Sequence, residues 1–151
     1  MIRAVSDTQL PIQNLLSHCH RRRYPPKTVV LYAGDQADAL YYIIEGSVSV
    51  LMDDDSGHEL VLAYLNAGDF FGEMGLFGDS STRSAWIRTR SHCELAEISY
   101  PRFRQAAEED PQLMFILAGQ MADRLRRTSM KVHDLAFLDV TGRIARTLLD
   151  L

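Results

Sequence analysis

Short apolar segments separated by turn residues fill the middle of the chain, from residue 28 to residue 99. Apolar and polar positions alternate in several of them, as at Val48, Val50 and Met52, which predicts strands with one buried face. Gly, Asp and Ser residues follow most segments and are typical of tight turns. We predict strands at residues 28–32, 40–44, 47–52, 59–65, 84–88 and 93–98. Many short strands at this spacing indicate a β-sandwich or barrel.

The pattern changes to a helical one after residue 99. Residues 100–108 predict a short helix, and Asp110 with Pro111 favours the start of a longer one. Its heptad spacing continues to about Leu135, which corresponds to roughly 25 residues or ~37 Å. Asp139 is typical of another N-cap, so we expect a break before a last helix that runs to Leu151.

The long helix has a heptad seam whose first half is apolar and whose second half is interrupted by Arg124 and Thr128. The seam consists of Met114, Leu117, Met121, Arg124, Thr128, Lys131 and Leu135. Such a helix could pack on its own domain, with Arg124 in solvent. Its length exceeds what a small β-domain needs to cover, which favours a dimer interface with polar groups beside a polar ligand.

Composition limits the class of protein. The chain has 151 residues, 46% of them hydrophobic and 24% charged, as expected for one globular domain. No apolar run is long enough to span a membrane and the N-terminus lacks a signal-peptide core, so we expect a cytoplasmic protein. The net charge of −4 argues against DNA binding by this part of the protein. Cys19 and Cys93 are expected to be free thiols.

The segment from Gly68 to Trp86 is the strongest candidate for chemistry. A glycine-bounded turn that opens a short helix presents backbone N–H groups, which suit an anion. The planar guanidinium of Arg83 matches two phosphate oxygens, and Ser84 adds a donor. Glu73 would repel an anion unless it accepts hydrogen bonds from hydroxyl groups of the same ligand. The alternative is a structural turn with Arg83 and Glu73 in solvent.

The runs Gly72-Glu73-Met74-Gly75-Leu76-Phe77 and Arg83-Ser84-Ala85-Trp86 resemble the phosphate-binding cassette of cyclic-nucleotide-binding domains. Residues 120–125 and 135–143 add to the similarity. Together they resemble the bacterial cAMP receptor protein (catabolite activator) family, and within it the Vfr-type regulators. The resemblance extends from about residue 15 to residue 151.

The resemblance implies a mainly β fold with α-helices, in which a double-stranded β-helix (a jelly-roll or β-roll) precedes a long dimerisation helix. The β-roll and its short flanking helices would occupy residues 1–110, and the dimerisation helix residues 111–136. Residues 137–151 would form the hinge and the start of a DNA-binding winged-helix domain that is absent from this chain. DNA would be a partner only through that domain.

The resemblance also implies cAMP as the ligand, held in part by the glycine-rich segment. Gly72 and Glu73 would receive the ribose, and Glu73 would accept from its 2′-hydroxyl group. Arg83 and Ser84 would hold the cyclic phosphate.

The remaining ligand contacts implied by the resemblance lie on the long helix. Arg124 would approach the ligand, Thr128 would meet the adenine amino group, and Ser129 would reach the adenine bound to the partner subunit of a homodimer. Val50 and Leu62 would be apolar neighbours of the ligand, although core packing is our preferred interpretation of both.

His20, Arg22 and Arg102 match positions at which family members present a basic patch to RNA polymerase. The mixture of His, Cys and Arg in residues 17–24 lacks the spacing of a zinc site, so we expect no metal. The histidines of the chain do not match the metal set of a cupin-type enzyme, and we expect no catalytic residues.

The sequence therefore indicates an allosteric cAMP sensor. Two alternatives stay open: a constitutive dimeric interaction module, and a relative that senses another nucleotide such as cyclic di-GMP. The intact set of Glu73, Arg83, Arg124 and Thr128 argues against both.

Overall fold

A computed structural model describes residues 9–78 and 82–149 of the chain. In these ranges one helix precedes the strands, a very short helix lies among them, and two helices follow. The elements are α1 (Gln9–Leu16), β1 (His20–Tyr24), β2 (Val29–Leu31), β3 (Ala39–Glu45), β4 (Ser47–Asp53), β5 (Glu59–Asn66), β6 (Phe70–Phe71), α2 (Met74–Phe77), β7 (Trp86–Thr89), β8 (Cys93–Ser99), α3 (Tyr100–Glu109) and α4 (Gln112–Leu149).

The strands form two four-stranded antiparallel sheets, in the orders β1-β8-β3-β6 and β2-β7-β4-β5. Consecutive strands of the chain alternate between the sheets at several points, and apolar side chains of both sheets meet in one core. The core residues are Ala39, Tyr41, Ile43, Val48, Leu65, Phe71, Ile87, Cys93 and Leu95. The predicted double-stranded β-helix followed by a long helix is confirmed.

A bulge in β5 lies beside the point where the predicted alternation of β4 fails. The pairing of β4 with β5 shifts between Val50 and Leu51. Leu51 is buried, whereas Met52, which we predicted on the same face as Val48, is exposed. Val50 pairs with Ala63 and Leu51 with Val61, so the extra residue of the bulge is Leu62 in β5. The prediction that Met52 shares a buried face with Val48 is wrong.

The sequence pattern did not reveal all the strands. It missed β1 because His20, Arg21, Arg22 and Arg23 show no apolar alternation and are exposed at the edge of a sheet. It also placed the start of β7 at Ser84, two residues before the strand begins at Trp86.

Helix α4 is continuous over 38 residues. The expected end near Leu135 and the expected N-cap at Asp139 are wrong, since Asp139 lies inside the helix and its Oδ2 is 3.2 Å from Nη2 of Arg143. An ion pair between positions i and i+4 stabilises a helix, and Asp139 forms such a pair instead of capping a helix N-terminus. The last two residues of the predicted final helix lie outside the described ranges.

The chain divides into two compact units, residues 1–114 and residues 115–151. The first contains the sheets and α1 to α3, and the second contains most of α4. Cys19 and Cys93 are free thiols. No helix within residues 9–78 and 82–149 is both long and apolar enough to cross a membrane.

Candidate anion-binding site

The backbone of Arg83 is fixed by the loop that follows β2. The Gly34 amide donates to the Arg83 carbonyl oxygen (2.8 Å), and the Arg83 amide donates to the Asp35 carbonyl oxygen (2.7 Å). An isolated β-bridge between Gln36 and Thr82 continues this pairing. Arg83, three residues before β7 begins, is therefore held with sheet-like geometry although it belongs to no strand.

The Arg83 side chain points into the protein, and only 8% of the residue is exposed. Nη1 donates to the Gly72 carbonyl oxygen (3.0 Å) and Nη2 to the Ala39 carbonyl oxygen (2.8 Å). Nη1 also lies 3.4 Å from the hydroxyl oxygen of Tyr100. Within the described ranges, the hydrogen-bond partners of the guanidinium are thus two carbonyls and a phenol, all of them uncharged.

One nitrogen of this guanidinium has no partner. Arg83 Nε is buried without a hydrogen bond, and no other buried side-chain nitrogen or oxygen shares this state in the part of the chain that the structure describes. A buried cation that lacks an anionic partner is unfavourable, and an unsatisfied buried donor adds to the penalty. An anion beside Arg83 would relieve both, since guanidinium groups form strong, paired hydrogen bonds with phosphate.

Gly72 permits the close approach of Arg83. Its φ is +79°, in the left-handed region that favours glycine. A Cβ at this position would lie 2.7 Å from Arg83 Nη1 and 3.2 Å from the Ala39 carbonyl oxygen. Both the backbone conformation and the neighbouring guanidinium therefore require glycine here.

Aromatic rings flank the arginine. Tyr41 stacks on Phe71, with ring centroids 5.0 Å apart, and Arg83 Cζ lies 5.9 Å from the Tyr41 centroid. Burial raises the pKa of both Tyr41 and Tyr100, although the Arg83 charge acts in the opposite direction. Both phenols are therefore protonated at neutral pH, and the Tyr100 hydroxyl can donate to a carbonyl.

Four of the seven predicted ligand residues lie together in the first unit. Gly72 and Arg83 are in direct contact, and Glu73 and Ser84 follow them in the chain. Glu73 is half-buried and stands at the N-cap position of α2, where its side chain makes no capping hydrogen bond. Ser84 is exposed.

The other three predicted ligand residues lie in the second unit, on α4. Arg124 is half-buried, whereas Thr128 and Ser129 are exposed. Of the two apolar candidates, Val50 packs against the core, as preferred from the sequence, but Leu62 is 39% exposed, and its assignment to the core is wrong.

Two contributors to the site were missed from the sequence. The Ala39 carbonyl holds Arg83 Nη2, and Tyr100 contacts both Gly72 and Arg83. No sequence signal identifies a backbone carbonyl as a partner. Tyr100 was interpreted only as the first residue of a helix, and its distance from residue 72 along the chain conceals the contact.

The predicted polymerase patch lies on two elements. His20 and Arg22 are exposed on β1, and Arg102 is exposed on α3, with Nη2 3.4 Å from His18 Nδ1. Arg22 Cζ lies 5.0 Å from the ring centroid of Tyr24. The described residues contain no group of three metal-ligating side chains placed to hold an ion.

Comparison with known proteins identifies the domain. Residues 21–110 match the cyclic nucleotide-binding domain family. The chain is 57% identical over 143 residues to the cAMP-activated global transcriptional regulator Vfr of Pseudomonas aeruginosa, covering 93% of this chain and 67% of that protein. It is 51% identical over 151 residues to the cAMP-activated global transcriptional regulator CRP of Salmonella typhimurium, covering 100% and 72% of the two chains.

Two solved structures of bacterial regulators are also similar to this chain. The c-di-GMP responsive global regulator CLP of Xanthomonas campestris has 49% identity and a TM-score of 0.79, with 93% of this chain and 70% of that chain covered. The catabolite activator protein of Thermus thermophilus has 31% identity and a TM-score of 0.72, with 84% and 59% covered.

The relatives named for their function are transcriptional regulators, and the expectation that the chain is a regulator and not an enzyme is confirmed. The matched domain covers most of the first unit, including Gly72 and Arg83. The chain therefore belongs to the cyclic nucleotide-binding domain family, as the regulatory part of a CRP-family transcriptional regulator.

Proposed function

We propose that the chain binds cAMP and that this ligand controls DNA binding by a C-terminal helix-turn-helix domain. The observation that carries the proposal is the state of Arg83. Its guanidinium is buried, its described hydrogen-bond partners are uncharged, and Nε has no partner. A cyclic phosphodiester supplies one negative charge and acceptor oxygens, which is what this group lacks.

The residues around Arg83 fit the rest of a cyclic nucleotide. Ser84 is exposed next to Arg83 and can donate to the phosphate. Glu73 follows Gly72 and can accept a hydrogen bond from the ribose 2′-hydroxyl group. A carboxylate close to a phosphate is tolerable when it binds a hydroxyl of the same ligand, and this preference selects a ribose-containing anion over free phosphate.

Helix α4 supports assembly as a homodimer. Beyond Met121 it is almost entirely exposed in a single chain, and many of its exposed side chains are large and apolar. These include Leu125, Met130, Val132, Leu135, Phe137, Leu138, Val140, Ile144 and Leu148. A helix gains most of its stability by packing an apolar face, so we expect these side chains to pack against α4 of a second copy of the chain.

A dimer would give the polar residues of α4 a role. We assign Arg124 to an approach to the ligand, Thr128 to the adenine amino group, and Ser129 to the adenine bound by the partner subunit. A ligand that touches both subunits stabilises one arrangement of the dimer over others. This difference in binding free energy is the coupling that allosteric control requires.

The exposed basic patch supports a protein partner. His20, Arg22 and Arg102 present donors and positive charge on the first unit, and we assign them to contact with RNA polymerase. Surface charges of this kind affect association rate and orientation more than affinity. Such a regulator would act in the cytoplasm.

A second candidate ligand is cyclic di-GMP, because the relative at 49% identity is named as c-di-GMP responsive. Both ligands contain phosphodiesters, so Arg83 alone does not discriminate between them. A constitutive dimeric interaction module with no nucleotide is the remaining alternative.

Calorimetric titration with cAMP, cGMP and cyclic di-GMP discriminates among these functions. Micromolar or tighter binding that favours cAMP supports the proposal. A preference for cyclic di-GMP would show that cyclic di-GMP, and not cAMP, is the ligand. A folded dimer that binds none of the three nucleotides would favour the interaction module.

A further inference from the structure

Helix α3 is attached to the glycine turn at two points. The Tyr100 hydroxyl, in the first turn of α3, donates to the Gly72 carbonyl oxygen at 2.5 Å. One turn later, Arg104 Nη2 donates to the Leu76 carbonyl oxygen at 3.1 Å. The two bonds hold both ends of the segment 72–76.

The space between these bonds is tightly filled. A Cβ at Gly75 would lie 2.9 Å from Tyr100 Cε2 and 3.0 Å from the Tyr100 hydroxyl oxygen. The ring therefore lies directly against the backbone of α2. Tyr100 itself is 8% exposed, so no solvent separates it from the turn.

The Gly72 carbonyl is shared by two donors, the Tyr100 hydroxyl and Arg83 Nη1. The same hydroxyl oxygen lies 3.4 Å from Arg83 Nη1. Three groups therefore form a closed triangle that fixes where the guanidinium points. Without the hydroxyl, the carbonyl would have one donor fewer, and both the turn and the guanidinium could rotate.

We propose that Tyr100 is a positioning residue for the ligand site, through which α3 orients Arg83 and the Gly72 carbonyl for an anionic ligand. This rests on the proposed nucleotide function for its ligand, but the contacts that carry it are present in the chain alone. Because precise placement of charged donors strengthens anion binding, a misplaced guanidinium lowers affinity while the fold persists.

Tyr100→Phe tests the proposal, since it keeps the ring and removes only the hydroxyl. We expect cAMP affinity to fall by about threefold to tenfold, the effect of one hydrogen bond. Tyr32→Phe is the matched control: Tyr32 is 52% exposed, and loss of its hydroxyl should leave the affinity for cAMP unchanged. Arg104→Met, which removes the second bond of α3, should weaken binding in the same direction.

A double-mutant cycle separates positioning from general destabilisation. If Tyr100 acts through Arg83, Tyr100→Phe has little further effect on affinity in an Arg83→Lys background. An equal loss in both backgrounds, or an unchanged affinity in Tyr100→Phe, overturns the proposal.

The Nε–H resonance of Arg83, assigned by its loss in Arg83→Lys, supplies a readout without ligand. We expect Tyr100→Phe to shift or broaden this resonance and Tyr32→Phe to leave it unchanged. An unchanged resonance in Tyr100→Phe refutes positioning. Failure of the wild-type chain to bind any nucleotide would refute the proposed function, while this resonance still decides the role of Tyr100.

Discussion

Arg83 Nη1 lies 3.0 Å from the carbonyl oxygen of Gly72, and a Cβ on Gly72 would lie 2.7 Å from the same nitrogen. The glycine thus offers the arginine a hydrogen-bond acceptor while leaving room for it. A side chain at residue 72 would therefore displace the guanidinium, so substitution of Gly72 tests both the need for glycine and the orientation of Arg83.

Gly72→Ala should destabilise the protein and weaken nucleotide binding together. The positive φ alone costs about 1–2 kcal/mol for a residue with a Cβ, and displacement of Arg83 adds to this. Gly34→Ala is the matched control, because Gly34 has a φ of +91° with nothing within 4 Å of the added Cβ. Chemical denaturation and calorimetry should give a similar backbone penalty for both variants but a loss of affinity only for Gly72→Ala. Equal affinities would contradict the role of Gly72.

Arg83→Leu should lose nucleotide binding and remain folded. Loss of a hydrogen bond to a charged group removes about 1.5–3 kcal/mol of binding free energy, or roughly 10- to 150-fold in affinity. Folding should suffer less, because the substitution also removes a buried charge. Arg90→Leu, at an exposed arginine whose Cζ lies 4.0 Å from the Tyr64 centroid, should keep its affinity. Retained affinity in Arg83→Leu would refute the phosphate assignment.

The chain should be a dimer without ligand, and Leu135→Glu should dissociate it. Leu135 is 67% exposed on α4, and both subunits would carry the substitution. Losing burial of about 1.5–3 kcal/mol for each leucine weakens association by roughly 100-fold or more. His133→Glu, on the opposite side of the heptad seam, should leave the dimer intact. Analytical ultracentrifugation measures both, and a monomeric wild-type chain would rule out the dimer helix.

The Cys19 thiol should react slowly and only at high pH. Desolvation raises its pKa to about 11, although Arg21 and Arg102 act in the opposite direction. Because the unfolded chain ionises at lower pH, the stability from this group is complete below about pH 9 and is lost as the pH rises toward 11. Iodoacetamide labelling of a Cys93→Ala variant against pH should show the high midpoint when folded and an ordinary one in denaturant. A midpoint near 9 in the folded protein would contradict the burial.

Elements were predicted correctly from the sequence where a single feature, such as an apolar segment bounded by turn residues, determined the local structure. The apolar segment and the turn residues after it predicted β5 to within one residue at its end, where its pairing with β4 is regular. In β4 the predicted alternation fails at Leu51, beside the bulge at Leu62 of β5, and no residue type in the sequence identifies a bulge of this kind. At Asp139 an N-cap signal competed with a pair to Arg143, and the continuing helix prevailed.

The candidate site could be predicted only in its residue types. Gly72 and Arg83 were selected because a glycine turn and an arginine suit a phosphate. Their mutual contact, the carbonyl of Ala39 and the hydroxyl of Tyr100 depend on strands and helices that are distant in the chain. Long-range pairing of this kind places backbone carbonyls that composition and spacing do not describe.

The continuity of α4 has a geometrical consequence. A helix of 38 residues is about 57 Å long, so a tilt of one degree about one end displaces the other end by about 1 Å. A break at Asp139 would have absorbed such a tilt, whereas an unbroken rod passes it on undiminished. A change of one or two degrees at one end of the helix therefore becomes a displacement of about 1–2 Å at the other end.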